Sequence, residues 1–158
     1  ASTGGGGGIY LFGDGSPVVR NCTVAANRGL GAAGIECLNG SALVENTVCF
    51  CNSNDTDVVN HVYEIRDWSN KNVACYQRCA FTATAPNGDC QVVANPGFSV
   101  RKGVPYAIGD DSPLKDAGVF GGWMTDATDI RGRPRKSGPS PDIGYYEYFY
   151  TGMVIIVN

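Results

Sequence analysis

A chain of 158 residues with 17% charged side chains and a net charge of −3 has room for one domain with a buried core. That charge and a pI near 5.0 argue against nucleic acid as the main partner, which would want a basic stripe. No run of about 18 apolar residues occurs, so no membrane-spanning segment is expected.

The chain opens Ala1-Ser2-Thr3 without methionine and then runs from Gly4 to Gly8. A phosphate loop would continue Gly-Lys-Ser/Thr into a helix, and neither follows. The glycines are therefore read as the last turn of a preceding coil, in a processed or excised chain. Gly8-Ile9-Tyr10-Leu11-Phe12 recurs as Gly34-Ile35-Glu36-Cys37-Leu38, 26 positions on. Gly15-Ser16-Pro17-Val18-Val19-Arg20-Asn21-Cys22-Thr23-Val24 recurs from Gly40 at an interval of 25, one residue being lost in the turn between the blocks. A period in the twenties built from short apolar runs is the signature of stacked coils.

Within each coil the pattern alternates with period two. Ile9, Leu11, Ile35, Cys37, Val19 and Val44 take the inward phase; Tyr10, Glu36, Arg20 and Glu45 take the outward one. Arg20 and Glu45 share a slot and are expected to form a surface pair about one strand spacing (~4.8 Å) apart. Asn21 with Asn46, and Asn27 with Asn52, are expected at coil corners, because asparagine tolerates left-handed backbone. A third, degenerate coil is read from the alternation of Val59, His61, Tyr63 and Ile65. It continues through Asn72-Val73-Ala74-Cys75-Tyr76, aligned with Asn46 to Phe50, which puts Cys75 beside Cys49 in the interior. After Cys90 proline, glycine and aspartate dominate. Strand character returns from Tyr145 to Tyr150 and from Met153 to Val157. The expected fold is all-β: a right-handed parallel β-helix of about three short coils over residues 1–93, closed by an irregular, loop-rich C-terminal cap over residues 94–158.

Seven cysteines (Cys22, Cys37, Cys49, Cys51, Cys75, Cys79 and Cys90) are many for a reducing compartment. They are read as core or disulfide-bonded, with the odd count leaving at least one over. Zinc is disfavoured, since Cys49-x-Cys51 and Cys75-x-x-x-Cys79 lack the usual pair spacing and His61 lies in neither.

Four ordered motifs mark the second half: Asn95-Pro96-Gly97-Phe98, Asp111-Ser112-Pro113-Leu114-Lys115-Asp116-Ala117-Gly118, Thr128-Asp129-Ile130-Arg131-Gly132-Arg133-Pro134-Arg135 and Asp142-Ile143-Gly144-Tyr145-Tyr146-Glu147-Tyr148. Together they resemble the C-terminal end of secreted bacterial right-handed parallel β-helix proteins, the choice-of-anchor Q domain group. Gly97, Leu114-Lys115 and Tyr145 depart from that group's pattern. The resemblance implies a secreted or surface-anchored β-helix and supplies no catalytic residues.

The leading expectation is a non-catalytic extracellular or cell-surface module with a structural or adhesive role. Its partners would be further coils of a longer chain, identical subunits stacked head to tail, or polysaccharide. Tyr10, Trp68 and Trp123 are the glycan-stacking candidates. Ile9, Leu11, Val154, Ile155 and Ile156 are the candidate assembly edge. The alternative is the C-terminal part of a carbohydrate-active enzyme, a polysaccharide lyase or glycoside hydrolase. A lyase would want acids stacked on one outer face, and the outward slots show no such ladder. A hydrolase would draw an acid and a base from Asp110, Asp111, Asp116, Asp126, Asp129, Asp142 and Glu147. These sit inside turn motifs with Arg131, Arg133 and Arg135 nearby, which favours capping and ion pairing. No cofactor is expected; Ca²⁺ on Asp126 and Asp129 is the cation considered. A spacer that binds nothing is the third class.

Overall fold

The computed structural model describes residues 7–29, 32–38, 41–53, 65–67, 74–82 and 85–150, with backbone alone at 65–67 and 74–75. The chain is all-β, and a 3₁₀ turn at Gly122–Thr125 is the one helical element among the described residues. Three passes lay down β1 (Ile9–Phe12), β2 (Val18–Arg20) and β3 (Thr23–Ala25), then β4 (Ile35–Leu38), β5 (Ala42–Glu45) and β6 (Val48–Phe50), then β7 (Ile65–Asp67), β8 (Ala74–Gln77) and β9 (Ala80–Phe81). A short strand β10 (Gln91–Val92) follows, and then the hairpin β11 (Phe98–Arg101) and β12 (Val104–Ile108). Each pass gives one strand to each of three parallel sheets, ordered β1-β4-β7, β2-β5-β8 and β3-β6-β9-β10.

The registers follow the repeat. Ile9 pairs with Ile35 at an interval of 26, and Val19 with Val44 and Val24 with Cys49 at 25. Ile35, Cys37, Val19, Val44, Val24, Cys49, Tyr76, Cys79 and Phe81 form one core, with Ile9 and Leu11 packed on it. Fully burying each large aliphatic side chain contributes about 1.5–3 kcal/mol, so this alternation is the main term holding the sheets together. The third sheet is covered on both faces. Val48 and Ala80, the alternate phase of β6 and β9, pack in a second core with Leu114, Ile143 and Tyr146 of the C-terminal segment. Buried parallel strands are expected to be apolar on both sides, as Val48-Cys49-Phe50 is.

The corners carry the expected asparagines. Asn21 and Asn46 have φ of 47° and 48°, and Arg78 occupies the same slot at 49°. Asn52 Oδ1 accepts from Asn27 N at 3.1 Å and from Asn27 Nδ2 at 3.0 Å, a side-chain ladder along the stack of strands. Three expectations need correction. Cys75 does not sit beside Cys49: β8 joins the second sheet, pairing Cys75 with Leu43, while Cys49 pairs with Phe81. The interval there is 32 (Ala42 to Ala74), because the extra length between the second and third passes shifts the true register away from the 26-residue match. Glu36 and Glu45 are buried, at 2% and 7% exposure, although Arg20 and Glu45 do pair at 3.5 Å. Finally, residues 145–150 form no strand but an irregular segment whose backbone N–H groups bond to side chains, Tyr145 N to Thr23 Oγ1 on β3 and Glu147 N to Asp129 Oδ2.

Candidate functional site

Past β12 the chain is irregular, and buried polar groups hold it. Asn46 Oδ1 accepts from Val119 N at 2.8 Å while Asn46 Nδ2 donates to Val119 O at 2.9 Å. Asp129 organises the next loop: its Oδ1 accepts from Arg131 N at 2.7 Å and Arg133 N at 2.9 Å, and its Oδ2 from Glu147 N at 3.1 Å. Gly132, at φ 74°, supplies the left-handed residue this tight loop needs. The loop sends two of its three arginines outward and one inward. Arg135 turns inward, donating to Gly144 O and Tyr145 O at 2.9 Å each and pairing with Glu147 at 3.5 Å.

Arg131 and Arg133 turn outward onto a groove of about 320 Å³ shared with Arg101, Lys102, Tyr146 and Tyr148. Its far wall is the β11–β12 hairpin. Lys102 and Gly103 both have positive φ (51° and 79°), as a two-residue type I′ turn requires, and this lifts Lys102 to the rim. The aromatic rings hold the cations. The Arg133 guanidinium lies 4.6 Å from the Phe149 ring centre, Arg131 lies 5.8 Å from Tyr146, and Arg101 lies 5.6 Å from Tyr148. Arg131 Nη1 also donates to the Tyr146 hydroxyl at 3.2 Å. Arg101 is committed to Asp110 at 3.4 Å. Arg131, Arg133 and Lys102 have no salt bridge among the described residues, so three cations face solvent on an acidic protein. A guanidinium held near a ring face still has N–H groups to offer, which suits a planar or tetrahedral oxyanion.

Beneath the groove lies a buried cluster of one guanidinium, Arg135, and three carboxyls, Asp129, Asp142 and Glu147. Burial, and next the charge of Asp142, push the Glu147 carboxyl up to about 8. Burial likewise raises Asp142 to about 6, against the hydrogen bonds it accepts from the backbone of Tyr148 and Asp116. Shifted carboxyls of this kind are often catalytic. Here they are at most 5% exposed and spend their oxygens on backbone N–H groups, so no substrate reaches them.

The glycan candidates lie apart. Tyr10, 46% exposed, stacks parallel to Phe12 at 6.2 Å on the first sheet. Trp123 sits over the second sheet, its Nε1 donating to Glu45 Oε1 at 3.1 Å, with Arg20 at 5.1 Å from its ring centre. Trp68, His61, Val154, Ile155 and Ile156 lie outside the described residues, as does the Cys75 side chain. Of the proposed edge, Ile9 and Leu11 lie on β1, the outermost described strand of its sheet. No group of three or more His, Cys, Asp or Glu that could hold a metal occurs among the described residues. Asp126 is exposed, while Asp129 is buried in its own turn. None of the six described cysteines is in a disulfide; Cys37, Cys49 and Cys79 are buried in the core, and Cys51 is exposed.

Sequence reasoning missed the groove. It paired Arg131 and Arg133 with acids, whereas Asp129 bonds their backbone and leaves their side chains to the rings. The available signals were arginine at three alternate positions and the Lys102-Gly103 turn. No family model, curated protein or solved structure matches the chain.

Proposed function

We propose that the chain is a right-handed parallel β-helix with a C-terminal wrap, serving as a non-catalytic extracellular or cell-surface module that holds acidic polysaccharide. The observation that carries this reading is the ring-backed Arg131–Arg133 groove. Its three salt-bridge-free cations are spaced across an open trough, suiting successive carboxylates or sulfates of a polymer better than one small anion. The three parallel sheets, each taking one strand per pass, support the β-helix. The structural employment of Asp129, Asp142 and Glu147 supports a binder over a hydrolase or lyase. The motif resemblance to secreted choice-of-anchor Q proteins points to the same compartment.

Affinity electrophoresis through gels containing polygalacturonate, with neutral dextran as control, tests the reading. Retardation by the acidic polymer alone is expected, weakening as salt is raised because exposed charges are screened. Each charge-assisted hydrogen bond contributes about 1.5–3 kcal/mol, so Arg133→Ala should weaken binding by roughly 10-fold or more. Equal retardation in both gels, cleavage of the polymer, or no loss in Arg133→Ala overturns it.

A second reading has its own observation. The first pass ends the described sheets, with Tyr10, Phe12 (70% exposed) and Val18 (49% exposed) outward and Ile9 and Leu11 half-buried beside them. Copies stacking head to tail would cover that edge. Light scattering across a concentration series tests it: concentration-dependent growth abolished by Leu11→Lys supports stacking, and a monomer at all concentrations refutes it.

A further inference from the structure

Cys79 and Cys90 flank neighbouring strands of the third sheet and fall in register. Gln91 pairs with Ala80, and Gln91 N donates to Cys79 O at 2.9 Å. In-register residues of parallel neighbours lie about 4.8 Å apart, within the separation a disulfide spans, and their side chains point to the same side. Residues 85–89, before Cys90, are tied to the third pass. Asp89 pairs with Arg78 at 3.1 Å, and Asn87 Nδ2 donates to Tyr76 O at 3.0 Å. The Cys79 thiol donates to Val44 O at 3.3 Å and Gln77 O at 3.4 Å. The proximity of the two thiols lowers Cys90 below its ordinary value, while the same neighbour and burial raise Cys79. Cys79 and Cys90 line an opening of about 280 Å³ with Arg78, Gly88, Asp89 and Gln91, where Cys90 is half-buried and Cys79 fully buried, so a small reagent meets Cys90 first. Cys37 and Cys49 share the core with this pair, but Cys49 is in register with Phe81 rather than with Cys79. Cys22 occupies the same slot two passes earlier, but Thr47 stands between, accepting from Cys22 N at 3.3 Å and donating to Glu45 O at 3.0 Å.

We infer that Cys79 and Cys90 form a reversible dithiol–disulfide site that exchanges with low-molecular-weight disulfides. The half-buried Cys90 thiolate attacks one sulfur of the external disulfide, breaking its S–S bond and releasing one thiolate, which takes up the Cys90 proton. The buried Cys79 thiol then gives up its proton and attacks the Cys90 sulfur, releasing the second thiol. The protein loses two electrons and two protons, and the external disulfide becomes two thiols. An accessible attacking thiol whose pKa is lowered, with a second thiol in register beside it, favours such exchange.

The test incubates purified chain in glutathione buffers from fully reduced to fully oxidised, traps thiols by alkylation, and maps peptides by mass. Trypsin leaves Cys79 and Cys90 on one peptide, residues 79–101, and further cleavage before Asp89 separates them. The expected result is a peptide 79–101 that resists double alkylation in oxidised buffer and stays joined after cleavage before Asp89. Adding reductant should restore both sites. Cys90→Ser, at a half-exposed position, should abolish the link without loss of fold, and Cys51→Ser should leave it intact. Full alkylation of both cysteines in oxidised buffer, a link from either to another cysteine, or a link that survives Cys90→Ser overturns the inference.

Discussion

Replacing Asn46 by alanine should cost about 3 kcal/mol of stability. The side chain is fully buried and clamps both backbone groups of Val119, at 2.8 and 2.9 Å, joining the second pass to the C-terminal wrap. Each neutral hydrogen bond contributes about 1 kcal/mol net, and losing both leaves the Val119 amide and carbonyl to find other partners. Alanine must also hold φ near 48° in the left-handed region, which costs roughly 1–2 kcal/mol. Asn21→Ala is the internal control. It sits in the same slot at φ 47° but donates one long bond, Nδ2 to Asp142 O at 3.2 Å. The backbone cost is shared, so Asn21→Ala should lose about 1 kcal/mol less. Urea titration of both variants reads this as a fall in midpoint at unchanged slope. For a domain of this size about 3 kcal/mol corresponds to a Tm drop of roughly 6–12 °C. A loss under about 1 kcal/mol for Asn46→Ala, or equal losses in the two variants, would refute the clamp.

The buried carboxyls predict a pH dependence of definite sign. Glu147 and Asp142 are raised in the fold to about 8 and about 6, so the folded chain binds more protons than the unfolded one through that range. Their contribution is fully present below about pH 4 and is lost as pH rises through 6 and then 8; the urea midpoint should fall over this window and Glu147→Gln should flatten the fall. A midpoint rising with pH there would contradict the assignment. Gly118→Ala should destabilise by about 1–3 kcal/mol, because a Cβ would lie 2.8 Å from both Asn46 Oδ1 and Pro141 O; an unchanged melting curve would show that the wrap is looser than described. Phe12→Ala, at a position 70% exposed, should change stability by less than about 0.5 kcal/mol, and a larger loss would mean the ring is covered in solution.

The first two passes were legible because the chemistry repeats. An inward apolar phase at Ile9/Ile35 and Val19/Val44, and asparagines at left-handed corners, leave one register that satisfies both. The third pass was not, because local similarity at 26 residues competed with a true interval of 32, and periodicity cannot see an insertion between strands. Glu45 shows a second limit. Alternation correctly turned it away from the core, but the C-terminal wrap brings Trp123 over that face and buries it. The hairpin β11–β12 was hidden by Pro105, which argues against a central strand but is tolerated on an edge. The groove was least legible. Arg131, Arg133 and Arg135 are equivalent in composition, and the Asp129 turn alone decides that two face solvent and one is buried.

The groove is most directly tested by titrating a trigalacturonate into isotope-labelled protein and following the arginine side-chain Nε–Hε resonances. The account predicts saturable shifts at Arg131 and Arg133, with Arg135 unmoved. Shifts confined to the Tyr10–Phe12 face, or none at Arg131 and Arg133, would contradict it.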